Sequence, residues 1–186
     1  MSTYYYPKYI EPRVIKGLIT HDECDNLINI AKNKTKDSTV GINSFEPQFR
    51  TSKTYQVMYE NDDEVIKSVR KKCGQVTTFP DNYSEFQITH YKTGGFYGPH
   101  HDRVEDRHSK RVCTVIIALN DDYEGGETNF IYLYNSFKMN KGDALLFYTT
   151  DQNDKMTDFA MHEGTEVTSG EKWIANVWMH DRKQNG

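Results

Sequence analysis

His100, Asp102 and His162 are the residues of this chain best placed to do chemistry. They stand in Tyr97-Gly98-Pro99-His100-His101-Asp102 and in Met161-His162-Glu163-Gly164. Two imidazoles and one carboxylate on an open metal face suit non-haem Fe(II) and its oxygen chemistry. The spacing has a physical reason: on a β-strand, residues i and i+2 point to one side. His100 and Asp102 can therefore reach one metal while His101 points to the other face. A third ligand from a distant strand completes one face of an octahedron and leaves the opposite face free. Read alone, His162 is an ordinary surface histidine. Gly164 and Lys172, the latter ten residues on in Gly170-Glu171-Lys172-Trp173, give it context. A buried ammonium at Lys172 could hold the carboxylate of an organic co-substrate.

Such a site needs strands to carry it and a core behind them. The 186 residues suffice for one domain with a full core. An aromatic content of 13%, with 13 Tyr, argues against a disordered chain. Thr20-His21-Asp22-Glu23 reads as a capping box, and Cys24, Leu27, Ile28 and Ala31 then recur at helical spacing. This predicts a helix over about 21–33, ending at Asn33 between Lys32 and Lys34. Asp62, Asp63 and Glu64 open a second helix, from Asp62 to about Gly74, with an apolar stripe of Val65, Ile66, Val69 and Cys73. From Phe86 onward the pattern changes. Val112–Leu119, Asn129–Tyr134, Ala144–Tyr148 and Trp173–Trp178 are strand-length apolar or alternating runs. Asn120-Asp121-Asp122 and Glu124-Gly125-Gly126 mark turns. Helices followed by many short strands predict an α+β domain in which a double-sheet β-roll is buttressed by N-terminal helices. The expected layout is one domain over 1–186, with helical support over about 1–80 and the core over about 85–182.

Composition narrows the partners. The net charge is −4 and no long basic run occurs, which disfavours nucleic acid. Arg103, Arg107, Lys110 and Arg111 are interrupted by Asp102, Glu105 and Asp106, so they read as a solvated loop. Cys24, Cys73 and Cys113 fit apolar periodic positions and read as buried free thiols. Met1 to Pro7 has no apolar signal region, and no run is long enough to span a membrane. A cytoplasmic location is expected, so the sequons at Asn33 and Asn82 carry little weight. His21, His90 and His108 read as structural or solvated, and Trp173 as core.

Seven segments carry a family resemblance: Arg50-Thr51-Ser52, Gln87–Tyr91, Gly95–Asp102, Arg111–Thr114, Gly125–Thr128, Lys141–Phe147 and His162–His180. In this order they resemble the catalytic domain of prolyl 4-hydroxylases, within the Fe(II)- and 2-oxoglutarate-dependent dioxygenases. The resemblance implies a double-stranded β-helix, or jelly-roll, core with His100, Asp102 and His162 on iron. It implies Lys172 on the distal carboxylate of 2-oxoglutarate, helped by the hydroxyls of Tyr91 and Thr128. O₂ would be the second co-substrate, and ascorbate would rescue oxidised iron. Tyr97, Arg111, Trp178 and His180 align with groove-lining positions, and Arg50 and Ser52 with a lid or its border. Ser84 falls where some members carry an acidic groove residue. A ring such as Tyr97 or Trp178 is a natural platform for proline in polyproline II geometry. The stretches Lys36–Phe49 and Arg103–Lys110 are expected to be loops that order around peptide.

The implied reaction converts peptidyl proline to 4-hydroxyproline in proline-rich or collagen-like sequences, with 2-oxoglutarate leaving as succinate and CO₂. The rival readings are the same chemistry on another protein side chain or a free amino acid, and a jelly-roll binding module without catalysis. A monomer or weak homodimer is expected.

Overall fold

The computed structural model describes residues 9–39, 46–77, 79, 84–105 and 109–182. The expectations for the first seven residues, Asn82, Arg107 and His108, and for parts of both loops, lie outside these. In chain order the elements are β1 (Arg13–Ile15), α1 (His21–Ala31), β2 (Lys36–Asp37), β3 (Lys53–Val57), α2 (Glu64–Thr77), β4 (Glu85–Lys92) and β5 (Tyr97–His100). They continue with β6 (Ser109–Ala118), β7 (Glu124–Gly125), β8 (Thr128–Phe130), β9 (Asn135–Phe137), β10 (Ala144–Tyr148), β11 (His162–Gly164), β12 (Val167–Ser169) and β13 (Glu171–Arg182).

The helix signals act locally, through backbone donors at the helix start that nearby side chains satisfy. Thr20 Oγ1 accepts from Glu23 N at 3.1 Å while Glu23 Oε2 accepts from Thr20 N at 2.8 Å, closing the capping box of α1. The helix ends at Ala31, two residues before the expected stop. Asp63 Oδ1 accepts from Val65 N at 2.9 Å and starts α2 one residue later than Asp63 itself. This helix passes Gly74 and ends at Thr77, whose hydroxyl donates to Cys73 O at 2.8 Å.

Every strand pairing is antiparallel. The larger sheet has the order β1-β10-β6-β13-β4-β3-β2, the smaller β5-β11-β8-β9, and β12 pairs with β7. The continuous apolar runs of β6, β10 and β13 follow from burial on both faces. Cys113, Val115, Ile117, Ala144, Leu146, Ala175, Val177 and Met179 share one apolar cluster with Cys24, Leu27, Ile66, Val69 and Cys73 of the two helices. The alternate residues Ile116, Ala118, Leu145, Phe147 and Ile174 join Phe130, Tyr91 and Val167 in a second cluster between the sheets. All three cysteines are buried and free, and Trp173 is 8% exposed within the first cluster.

Four local expectations need correction. Lys36–Asp37 is strand β2, not loop: it pairs with β3, which supplies the partners its polar residues could not signal. Glu124–Gly125 is a short strand against β12 rather than a bare turn, with Gly125 and Gly126 at φ of 68° and 69°. The run from Asn129 leaves the sheet after Phe130 in a 3₁₀ turn over Ile131–Leu133, ended by Tyr134 at φ 51°. The strand carrying His100 stops at His100, so Asp102 lies beyond it. Among the described residues no helix is long and apolar enough to cross a membrane.

Candidate active site

The three candidate ligands converge from two strands and one strand exit. His100 ends β5 and is the direct cross-strand partner of His162, which begins β11. Their ligand atoms and those of Asp102 all lie within 4.8 Å of one another. His100 Nε2 is 3.5 Å from Asp102 Oδ1, and His162 Nε2 is 3.8 Å from Asp102 Oδ2. Strand alternation does not bring Asp102 here, because the strand has ended. Thr114 of β6 does, its hydroxyl donating to Asp102 Oδ2 at 2.7 Å.

Both imidazoles are set in one tautomer. His100 Nδ1 lies 2.8 Å from Gly98 O, and His162 Nδ1 lies 3.0 Å from Ala160 O. A carbonyl can only accept, so each Nδ1 carries a proton and each Nε2 is the ring atom left facing Asp102. Burial, then the neighbouring His100, pushes the His162 imidazole down to about 4, which leaves it neutral at pH 7. For Asp102, burial alone would raise the pKa. The His162 and His100 rings and the Thr114 hydroxyl outweigh it and hold the carboxyl well below its usual range. This buried carboxylate, 8% exposed, and the two imidazoles bring their ligand atoms within 4.8 Å of one another. The donor set therefore fits a divalent ion bound on one face, as a two-His, one-carboxylate site holds Fe(II). Among the described residues no other such group of three ligands forms.

The triad opens into a cavity of about 420 Å³ between the two sheets, within the range of small-ligand sites. Lys172 borders it at 4% exposure, its Nζ donating to Gly126 O at 2.7 Å and lying 5.2 Å from the centre of the Tyr91 ring. Burial pushes this ammonium down to about 8, with Glu127 opposing. Tyr91 and Lys172 are cross-strand partners on β4 and β13, and Thr128 faces the same cavity from β8. The site thus offers a buried cation and two hydroxyl side chains beside an open metal face.

The groove residues divide. Tyr97 stacks on His100 with ring centres 3.7 Å apart, and the Arg50 guanidinium covers Tyr97 at 4.4 Å. Arg111 lies 4.2 Å above the Trp178 ring and pairs with Glu85 through Nε–Oε1 at 3.1 Å and Nη2–Oε2 at 2.5 Å. These four residues border the cavity. His180 does not: it reaches Glu85 Oε1 at 2.7 Å from a neighbouring hollow. A register shift between Met179 and His180 breaks the alternation that would have aligned it with Trp178. Ser52 is also outside the cavity and accepts from Arg50 Nε at 2.8 Å. His101 is not one of the clustered ligands, yet it borders the cavity rather than pointing away, since alternation ends with β5.

Glu85 is the functional candidate the sequence reading missed. Ser84 is 3% exposed and does not border the triad cavity, whereas Glu85, the first residue of β4, does. An acidic side chain therefore borders the cavity from the position next to Ser84. Burial would raise the Glu85 carboxyl, but His180 and Arg111 lower it to about 2. Its pairing opposite Trp178 was the available signal, and only the sheet register supplies that. Gln87 and Asn176 also border the cavity.

Fold and site together define an iron- and 2-oxoglutarate-type oxygenase, and comparison with known proteins agrees. The family model described as the 2OG-Fe(II) oxygenase superfamily matches residues 86–180, from β4 to β13, and the chain belongs to that superfamily. Within it the chain is similar to prolyl 4-hydroxylases. A protein of Acanthamoeba polyphaga mimivirus, provisionally named a prolyl 4-hydroxylase, is 33% identical over 187 residues, covering 94% of this chain and 76% of its own. Prolyl 4-hydroxylase 1 of Arabidopsis thaliana is 32% identical over 200 residues, covering 92% and 70%. The viral collagen prolyl hydroxylase of Paramecium bursaria Chlorella virus-1, solved with 2OG, superposes with a TM-score of 0.75 at 30% identity, covering 92% of this chain and 96% of that one.

Proposed function

We propose that this chain hydroxylates peptidyl proline to 4-hydroxyproline, with Fe(II) on His100, Asp102 and His162 and 2-oxoglutarate beside it. The observation that carries this reading is Lys172: a buried ammonium whose hydrogen-bond acceptor among the described residues is the Gly126 carbonyl, in the cavity that the triad opens into. Glu127 acts on this cation only from beyond ion-pair contact; a buried cation so placed calls for an anionic ligand, and the distal carboxylate of 2-oxoglutarate supplies it. Tyr91 and Thr128 add hydroxyls to that carboxylate. The iron and 2-oxoglutarate supply the oxidising chemistry, with O₂ as oxidant, succinate and CO₂ as products and ascorbate as restorer of the metal.

The chain's own residues bind, orient and exclude water. The backbone carbonyls of Gly98 and Ala160 hold both imidazoles with Nε2 inward, and Thr114 holds Asp102. Ile116 and Ile174 keep part of the floor apolar. Tyr97 and Trp178 present aromatic faces to a proline ring. Arg50 and the Glu85–Arg111 pair present charge to the peptide around it. The prolyl hydroxylase names of the relatives favour a proline-bearing peptide over a free amino acid. In this reading α1 and α2 buttress the larger sheet, and the chain works as one domain.

The test is succinate release from 2-oxoglutarate with Fe(II), with and without a Pro-Pro-Gly repeat peptide. Peptide-stimulated release with 4-hydroxyproline in the product is expected, and its absence removes the proline assignment. His162→Ala should abolish release; full activity in that variant removes the metal-site assignment.

A further inference from the structure

Among the described residues, the segment before β3 reaches the metal site through His100, in two ways. Arg50 forms an isolated antiparallel bridge with Tyr97, and Thr51 N donates to Phe96 O at 3.0 Å. Phe49 O accepts from Gly98 N at 2.7 Å. Gly98 in turn lends its carbonyl to His100 Nδ1 at 2.8 Å. The residue whose carbonyl orients the ligand is thus itself held, through its N–H, by Phe49. A Cβ on Gly98 would meet the Phe49 ring at 3.3 Å, so glycine permits this close approach.

The second link runs through side chains. The Tyr97 ring lies on His100 at 3.7 Å with an interplanar angle of 17°, close to parallel. Arg50 covers the Tyr97 ring, its guanidinium carbon 4.4 Å from the ring centre. Arg50 is itself fixed at 7% exposure, donating to Ser52 Oγ at 2.8 Å, Thr54 Oγ1 at 3.3 Å and Thr39 O at 3.4 Å. Guanidinium, phenol and imidazole form one stack that ends on a metal ligand. Turning the His100 ring would break its contact with Tyr97 and its bond to Gly98 together. His162 is held differently, packed against Phe130 and Phe147 at 5.4 and 4.7 Å in the closed core.

We propose that Arg50 and Tyr97 are positioning residues for His100, so that the Phe49–Thr51 segment is an outer part of the metal site as well as a wall of the peptide groove. This rests on the reading of the triad as the metal site. Outer partners of metal-bound histidines set ring orientation, and losing one typically lowers metal affinity by about 10–100-fold. Ser52 then acts through Arg50, which accounts for its place outside the cavity.

Anaerobic titration of the full chain with Co(II), read by visible absorption and by competition with a chelator, tests this without turnover. Tyr97→Leu and Arg50→Gln should raise the Co(II) dissociation constant by roughly 10-fold or more and alter the Co(II) absorption band. Tyr97→Phe keeps the ring and Arg50→Lys keeps the charge over it. Tyr97→Phe should match the parent, and Arg50→Lys should recover most of the loss. Tyr132→Leu removes an exposed ring that does not border the cavity and should leave Co(II) binding unchanged. Parent-like binding in Tyr97→Leu overturns the proposal, as does equal damage in Tyr97→Phe or Tyr132→Leu. If Tyr97→Leu does not fold, the Arg50→Gln and Arg50→Lys pair decides on the same terms. His162→Ala must weaken Co(II) far more than any of these. Undiminished binding there overturns the ligand assignment and this proposal with it, whereas the other failures overturn the proposal alone.

Discussion

If Lys172 holds the co-substrate as proposed, one buried side chain ties that binding to pH. Its ammonium is pushed down to about 8, chiefly by burial. Only the charged form grips a carboxylate, so 2-oxoglutarate affinity should fall as pH rises through about 8. Bound dianion raises the same pKa, so binding at pH 8–9 should take up protons. Calorimetry in buffers of different ionisation enthalpy measures that uptake, and a pH-independent affinity from 7 to 9 would sink the assignment. The same group weakens the ligand-free protein. Its folded pKa lies below the unfolded value of about 10.4, so the penalty is fully present below about 8 and fades at higher pH; it amounts to roughly 3 kcal/mol. Lys172→Met should therefore raise the thermal midpoint of the ligand-free protein at pH 7 while abolishing stabilisation by 2-oxoglutarate.

At the scale of elements, Glu23 joins the two helices. Beyond its capping role it accepts from Ser68 Oγ at 2.8 Å and from Lys72 Nζ at 2.6 Å. Glu23→Gln should cost about 1–2 kcal/mol at pH 7 in urea unfolding. Burial raises the Glu23 carboxyl, but Lys72, Thr20 and Ser68 lower it further, so its folded pKa is depressed. Its contribution is present above the unfolded value of about 4.3 and is lost as pH falls through the lower folded value. The gap between parent and variant should close toward pH 3, and a gap constant from pH 7 to 3 would refute the charge-based account. This capping box was legible because it spans only Thr20 to Glu23. The strands β6, β10 and β13 were legible because their apolar runs record burial on both faces. β2 was not, since Lys36 and Asp37 are exposed and their strand character comes only from pairing with β3.

For the whole molecule, the proposed metal site is a seam between two sheets. β5 and β11 of the smaller sheet carry the histidines, while β6 of the larger holds Asp102 through Thr114. A bound ion should therefore stabilise the folded state globally. At 100-fold excess over its dissociation constant it contributes about 2.7 kcal/mol, or roughly 5–10 °C in a domain of this size. Calorimetry with Co(II), and again after a chelator, checks this. An unchanged midpoint would show that these residues do not close on an ion.

What the sequence determined by itself was the set of donors and their local settings. His-x-Asp, the distant His162 and the Lys172 beside Trp173 are properties of residue type and spacing, as are the helix caps and the double-faced strands. Tertiary structure decided which of the neighbours share the site. Asp102 joins its triad through Thr114 rather than through strand alternation, because β5 ends at His100. Glu85 enters the groove in place of Ser84 through the register of β4 on β13, and a register shift after Met179 turns His180 out of the cavity. Pairing register and strand ends depend on contacts between residues far apart in the chain. Local pattern does not encode those contacts, and a slip of one residue moves a side chain to the opposite face.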